Sequence, residues 1–171
     1  LLYHRVLPEG RPHPLGTVMD VKVFIKHVEA IARRYAVCAL RDVAGGRGPR
    51  AGSAATRVVF TFDDGYWDNY EVVFPLLRRK GVPATFFVAT DYIGARRPLW
   101  EWEVVQLVST RRGPQRVMVE DEILERRSAE SQVGFALRVF HRLRWASKET
   151  QTRVLEALRE SSRGTEPSGR P

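Results

Sequence analysis

The sequence predicts an α/β fold with a parallel sheet, and two buried strands joined by one helix carry this prediction. Residues 58–62 (VVFTF) and 84–89 (ATFFVA) are short runs of mainly β-branched and aromatic residues, typical of strands covered on both faces. Between them, residues 69–80 carry apolar side chains at helical spacing. A strand, a helix and a strand in so short a stretch predict a right-handed βαβ unit, in which the two strands run parallel.

The predicted helix at residues 69–80 has recognisable ends. Pro75 lies early in it, where a missing N–H is tolerated best, so the regular helix is expected to begin later than Asn69. Basic residues 78–80 fall in the last turn, where they favour the helix dipole, and Gly81 is a suitable stop.

The elements before this unit follow from similar patterns. Residues 1–4 predict a first short strand, and residues 5–14 a Pro-rich loop. Asp20 is a suitable cap for a helix with one apolar stripe, after which residues 35–40 predict a second strand. Residues 45–56 have no periodicity and predict a mobile surface loop.

The character of the sequence changes at Pro98. Residues 98–160 predict a helical region with a break at 111–114, a brief strand at 117–119 and a last helix capped by Ser147. One helical stripe is formed by Phe135, Val139, Phe140 and Leu143. Residues 161–171 are polar and rich in Gly and Pro, which predicts a disordered tail.

Composition and charge exclude several classes of protein. A hydrophobic content of 43% and a charged content of 28% are typical of globular proteins, and a single cysteine, Cys38, excludes an internal disulfide. The net charge of +8 is spread evenly, with 13 basic and 9 acidic side chains in residues 1–95 and 15 and 11 in residues 96–171. Without a basic arm we expect no nucleic-acid partner, and no stretch is long enough for a membrane span.

Two adjacent carboxylates, Asp63 and Asp64, follow the first buried strand and precede Gly65. The carboxyl ends of parallel strands are where α/β folds bind ligands, so these side chains are expected at a functional mouth. Neighbouring acids repel each other, and a bound cation, a shared proton or hydrogen bonds must compensate. The alternative is that they cap a helix or close a turn, but Asp68 or Asn69 is expected to fill the capping role.

The stretch TFDDGYWDNYEVVFPLLRRKGVPATFFVATDYIG resembles the first conserved block of the polysaccharide deacetylases, the NodB-homology domain of carbohydrate esterase family four. The opening LLYHRVLPEG is also similar to the amino-terminal part of that family. The resemblance implies a partial (β/α) barrel at residues 1–97, interrupted after the third or fourth strand by a helical insertion at residues 98–160.

The resemblance also implies a reaction and roles for individual residues. The expected activity is metal-dependent deacetylation of an N-acetylated polysaccharide, an amide hydrolysis with Asp63 as catalytic base and Asp64 as ligand of a divalent metal, with zinc preferred. His4, Tyr66 and Asp91 are candidates for lining the site, although a packed His and a local Asp turn are alternatives.

The family completes its metal site with two His in a His-x-x-x-His motif, which this sequence lacks. We therefore expect this sequence to be a fragment, and its beginning at Leu1 rather than Met fits that expectation. Expressed alone, it is expected to bind metal weakly and to have no appreciable deacetylase activity. The absence of a signal peptide says little about the compartment. A phosphotransferase of the haloacid dehalogenase type is disfavoured because it requires Asp-x-Asp. A non-catalytic carbohydrate-binding or interaction remnant of the same fold remains the alternative.

Overall fold

The computed structural model describes residues 1–8, 13–46 and 56–163, which divide into two compact units, Leu1–Ile93 (unit 1) and Gly94–Pro171 (unit 2). The predicted division at residue 97 lies shortly after this boundary, and the interpretation of residues 98–160 as an insertion stays a prediction. No helix in the described ranges is long and apolar enough to cross a membrane.

Unit 1 alternates short strands with helices. In chain order its elements are β1 (Leu2–Tyr3), β2 (Arg5–Leu7), β3 (Val18–Asp20), α1 (Val21–Arg34), β4 (Ala36–Val37), α2 (Leu40–Ala44), β5 (Arg57–Val58), β6 (Phe60–Phe62), a π-helical turn (Asn69–Val73), α3 (Phe74–Arg79), β7 (Ala84–Phe86) and a 3-10 turn (Thr90–Tyr92).

The central sheet of unit 1 has the order β1-β6-β7, and all of its strands are parallel. The register places Phe62 beside Tyr3 on one side and beside Phe86 on the other. The parallel sheet predicted from the sequence is therefore confirmed. The remaining strands pair as β2–β3 and β4–β5, and in the parts of unit 1 that the structure describes the strands do not close into a barrel.

Aromatic side chains of the central sheet and α1 form the core of unit 1. Phe62 is fully buried, with ring centroids 5.3 Å from Tyr3, 5.8 Å from Phe24 and 5.0 Å from Phe86. Two apolar residues of α3, Leu76 and Leu77, are also buried in this cluster. The apolar run at residues 58–62 thus supplies the buried centre of the unit, as its composition predicts.

The helix boundaries in unit 1 follow the predicted signals. The Oδ1 of Asp20 accepts hydrogen bonds from the N–H groups of Lys22 and Val23 at 2.8 and 3.1 Å, which confirms the cap. The helix predicted at residues 69–80 begins with the π-helical turn, and its regular part, α3, begins at Phe74, beside Pro75. Gly81 follows that helix with φ of +63°, as a helix stop requires.

Two elements of unit 1 differ from the prediction. The segment expected as a Pro-rich loop contains β2, which pairs in parallel with β3 and buries Val6 completely. The segment before the expected surface loop contains α2. Both elements are too short to produce a detectable period in the sequence. Residues 9–12 and 47–55, which belong to these two predicted loops, lie outside the described residues.

Residues 94–163, the part of unit 2 that the structure describes, form three helices and one hairpin. Its elements are α4 (Trp100–Ser109), β8 (Arg116–Val119), β9 (Glu122–Glu125), α5 (Gln132–Leu143) and α6 (Lys148–Arg163). The predicted stripe on α5 is buried, and the Oγ of Ser147 accepts a hydrogen bond from the N–H of Thr150 at 3.1 Å, so both predictions are confirmed.

The brief strand predicted at residues 117–119 is confirmed as β8, but the helical prediction is wrong at residues 122–125, where β9 pairs with β8 in an antiparallel hairpin. Only its first strand was expected, because the connecting residues Glu120 and Asp121 lack the Gly or Asn that marks such turns. The predicted disordered tail is also wrong at its start, since residues 161–163 continue α6. Residues 164–171 lie outside the described residues.

An ion pair between Glu130 and Arg138 makes the stability of unit 2 depend on pH. The Arg138 guanidinium donates to both carboxylate oxygens of Glu130 at 3.1 and 2.8 Å, and these bonds lower the pKa of Glu130 to about 2. A lowered carboxyl pKa stabilises the folded state above the ordinary pKa of about 4.5, and this stabilisation is lost as the pH falls towards 2.

We therefore expect the free energy of unfolding to fall more between pH 5 and pH 2 in the wild-type chain than in Glu130→Gln. Urea unfolding followed by Trp fluorescence measures this, because three of the four Trp residues lie in unit 2. Glu156→Gln, at an exposed position on α6, serves as the control and should behave as the wild type. Equal pH dependence in the wild type and Glu130→Gln would contradict the prediction.

Candidate functional site

The chain turns sharply after β6 through Asp64 and Gly65, which both have left-handed backbone conformations with φ of 76° and 72°. Among L-residues, Asp and Asn tolerate this conformation best, and Gly adopts it without strain. At position 65 a Cβ would also lie 2.9 Å from the Cγ1 of Val88. An Asp or Asn followed by Gly therefore suits this turn, and the Asp64-Gly65 sequence meets that requirement.

Hydrogen bonds fix the turn to the strands on both sides. The N–H of Asp63 donates to the carbonyl oxygen of Tyr3 at 2.9 Å, and the N–H of Ala89 donates to the carbonyl oxygen of Asp64 at 3.4 Å. An open cavity of about 480 Å³ lies at this end of the sheet. Its lining consists of Leu2, Asp63, Asp64, Phe87, Val88 and Ala89. Both carboxylates thus reach a common solvent-accessible space.

His4 contacts the second acid of the pair. Its Nδ1 lies 2.9 Å from the Oδ2 of Asp64, and both side chains are about one-third exposed. The contact joins the residue after β1 to the turn after β6, two strands that are neighbours in the sheet. His4, Asp63 and Asp64 are therefore brought together by the fold.

Asp68 has a different role from the predicted cap. Its Oδ1 accepts from the Arg5 guanidinium at 2.9 Å and its Oδ2 from the backbone N–H of Val6 at 2.9 Å, while the side chain is only 5% exposed. Neither Asp68 nor Asn69 caps the following helix with its side chain: Asn69 is buried, and its amide has no hydrogen-bond partner among the described residues. The prediction that one of them is the cap is wrong, because Asp68 is used to bind the segment after β1.

The other two predicted lining residues lie apart from the acid pair. Tyr66 packs under the Arg5 guanidinium, whose central carbon is 4.6 Å from the ring centroid. Asp91 is exposed on the 3-10 turn Thr90–Tyr92 and does not line the cavity. Their roles at a site stay predictions, as do those of Asp63, Asp64 and His4.

Sequence reasoning missed Arg5 and Asp68 as a pair, and it missed the apolar wall formed by residues 87–89. The sequence does contain a signal for this wall, because the predicted strand at residues 84–89 ends at the same edge of the sheet as β6. The sequence contains no signal for the ion pair between Arg5 and Asp68, since the two residues are separated by 63 positions and Arg5 lies in a segment expected to be a loop.

The side chains at the turn are of types that bind a divalent metal, but too few of them lie together among the described residues. A carboxylate and an imidazole are ligands that zinc accepts. However, the described residues contain no group of three or more His, Cys, Asp or Glu side chains that could hold a metal ion. The residues that the structure describes therefore supply an incomplete set of ligands.

Comparison with known proteins supports one assignment. The family model for polysaccharide deacetylase matches residues 51–134, which include β6, the Asp63-Asp64-Gly65 turn and β7. Residues 51–134 belong to the polysaccharide deacetylase family. The family predicted from the resemblance is confirmed for this part of the chain.

Two individual proteins are similar to parts of this sequence. YxkH of Bacillus subtilis (strain 168), whose name assigns it provisionally to the polysaccharide deacetylases, is 40% identical over 50 residues, which are 29% of this chain and 18% of YxkH. A solved structure of a de-N-acetylase from Aggregatibacter actinomycetemcomitans has 19% identity and a TM-score of 0.42, and the match covers 82% of this chain and 49% of that protein. Both matches thus span less than half of the relative.

Proposed function

We propose that this chain is the part of a metal-dependent polysaccharide deacetylase that presents the catalytic acid pair. Asp63 is the base that takes a proton from the attacking water, and Asp64 is a ligand of a divalent cation. The observation that carries the proposal is that both carboxylates line one open cavity at the end of a buried parallel strand, while neither is used as a cap. The family match over the same residues supports it.

The reaction is the hydrolysis of an amide, the N-acetyl group of a sugar, and so acts on a carbon–nitrogen bond outside peptides. Amide hydrolysis needs an activated water and stabilisation of the negative charge that develops on the carbonyl oxygen. A bound divalent cation, with zinc as the preferred ion, would supply part of both. In this chain, β6 and the turn after it position the carboxylates of Asp63 and Asp64. The short parallel strands of unit 1 are proposed to be one section of a (β/α) barrel.

The ligand set must be completed from outside this chain. His4 lies in hydrogen-bond contact with Asp64, whereas the Nδ1 of His27 lies 3.4 Å from the Tyr3 hydroxyl and the Nδ1 of His13 accepts from the N–H of Leu15. For this reason we expect weak metal binding and no measurable deacetylation by the 171-residue chain alone. The same shortage favours the alternative, a carbohydrate-binding or interaction module of this fold that has no catalysis.

A paramagnetic titration tests whether the acid pair binds a cation at all. Mn²⁺ accepts oxygen and nitrogen ligands and broadens the NMR signals of nearby nuclei even when binding is weak. We expect added Mn²⁺ to broaden the amide signals of Gly65 and Val88 in the wild-type chain and in Asp63→Asn, but not in Asp64→Ala. Asp91→Ala removes an exposed acid outside the cavity and serves as the control, with broadening as in the wild type.

Broadening that persists in Asp64→Ala would contradict the role of Asp64. Acetate release from an N-acetylated oligosaccharide gives the catalytic measurement, and release that is equal in the wild type and Asp63→Asn would contradict the role of Asp63. Binding of the oligosaccharide together with no response to Mn²⁺ would favour the non-catalytic module.

A further inference from the structure

The contact between His4 and Asp64 leads to an inference that rests on the proposed function and adds a residue to it. We propose that His4 is a positioning residue that fixes the Asp64 carboxylate through Oδ2 and leaves Oδ1 as the oxygen offered to a cation. The evidence is the 2.9 Å contact, the fixed backbone on both sides of His4 and the exposure of the Asp64 side chain.

The direction of the hydrogen bond follows from the chemistry of the two groups. An ionised carboxylate only accepts hydrogen bonds, so the Nδ1 of His4 must carry the proton that it donates to Oδ2. The bond therefore selects the Nδ1–H form of the neutral ring. Among the described residues, no hydrogen bond reaches the Oδ1 of Asp64, so the two oxygens of this carboxylate are in different environments.

The backbone on either side of His4 is held in place by the segment that it contacts. Before it, the carbonyl of Tyr3 accepts from the N–H of Asp63, and after it, the N–H of Val6 donates to Asp68 at 2.9 Å. Residues 3–6 therefore run beside residues 63–68 with a contact at each end and the imidazole between them. Because the backbone on both sides of His4 is fixed, its imidazole can orient the Asp64 side chain while losing little conformational freedom of its own.

The Asp64 carboxylate needs such support. The residue has a left-handed backbone, its side chain is 29% exposed, and the adjacent Asp63 carries a like charge. The His4 N–H is the one hydrogen-bond donor to this side chain within the described residues. Groups that orient a metal ligand typically change metal affinity by about ten- to a hundredfold when they are removed.

The test compares two substitutions of His4 in the 171-residue chain. His4→Asn keeps an N–H close to the position of Nδ1, whereas His4→Leu removes the donor and keeps an apolar side chain of similar size. His141→Leu, at an exposed position in unit 2, is the matched control. Amide NMR spectra establish that each variant is folded before the measurements are made.

Two measurements on these chains separate the inference from the proposed function. Long-range ¹H–¹⁵N spectra of the wild type at about pH 9 should show the Nδ1–H form for His4, and Asp64→Ala should shift the ring towards the Nε2–H form. In Mn²⁺ titrations, His4→Leu should weaken binding about tenfold or more, while His4→Asn and His141→Leu should stay within about threefold of the wild type.

An Nε2–H ring in the wild type overturns the inference whether or not the chain binds Mn²⁺. Where the wild type binds Mn²⁺ more tightly than Asp64→Ala, equal Mn²⁺ affinity of His4→Leu and the wild type also overturns it. A wild-type chain that has the Nδ1–H form but binds Mn²⁺ no better than Asp64→Ala counts against the proposed function, while the tautomer still supports the hydrogen bond that positions Asp64.

Discussion

Replacement of Asp68 with alanine is expected to lower the free energy of unfolding of unit 1 by about 3 kcal/mol. The substitution removes the acceptor of the buried N–H of Val6 and the carboxylate that pairs with the Arg5 guanidinium, whose side chain is 21% exposed. Removal of one partner from a buried ion pair typically destabilises a protein by about 3–5 kcal/mol, and the partial exposure of Arg5 places this case at the lower end. Hydrogen exchange of the β6 amides measures the effect within unit 1.

Asp42→Ala is the matched control for Asp68→Ala. Asp42 lies 4.0 Å from Arg41, and the two side chains are 44% and 87% exposed, so its removal should change stability by no more than about 0.5 kcal/mol. Asp68→Asn should fall between the two, because an amide oxygen can still accept from Val6 but carries no charge for Arg5. A change in Asp68→Ala no larger than that in Asp42→Ala would show that the pair does not hold the two segments together.

Replacement of Phe62 with alanine is expected to have the largest effect on stability, about 4 kcal/mol. The ring is fully buried and packs against Tyr3, Phe24 and Phe86 with centroid distances of 5.0–5.8 Å. The substitution removes the apolar burial and the aromatic contacts together, and it leaves a cavity in the middle of the sheet. Denaturant unfolding and exchange of the β6 and β7 amides should both report the loss.

Phe87→Ala provides the comparison for this prediction. Phe87 is the same residue type in the same sheet region but is 49% exposed, so truncation should cost less than about 1 kcal/mol. Phe62→Leu should recover a large part of the loss, since leucine fills much of the volume. Similar effects of Phe62→Ala and Phe87→Ala would mean that the aromatic cluster is not the core of unit 1.

The parts of unit 1 that the sequence predicts are those whose signals are local. The burial of Phe60 and Phe62 follows from the run of apolar residues, the cap at Asp20 from its position before an apolar stripe, and the stop at Gly81 from the conformation that a helix end requires. The acid pair is predicted for the same reason, because a strand and an Asp-Asp-Gly turn are contiguous in the chain.

The parts that the sequence does not predict depend on partners far apart in the chain. Arg5 has no local feature that identifies Asp68 as its partner, and Asp68 stands where a helix cap is expected, so the local interpretation of both residues is wrong. The hairpin of unit 2 was missed for another reason. Its two-residue connection at Glu120 and Asp121 uses a left-handed Glu, a residue that does not signal a turn.

The contact between His4 and Asp64 spans sixty positions of the chain and has a consequence for the order of folding. During synthesis β1 and His4 are made before β6 and the turn around Asp64, which are their partners in the sheet and in this contact. Closing a loop of this length requires loss of chain entropy before any contact compensates for it. The contact is thus made only when β1 docks beside β6, so the step that adds β1 to the sheet also brings His4 to the acid pair.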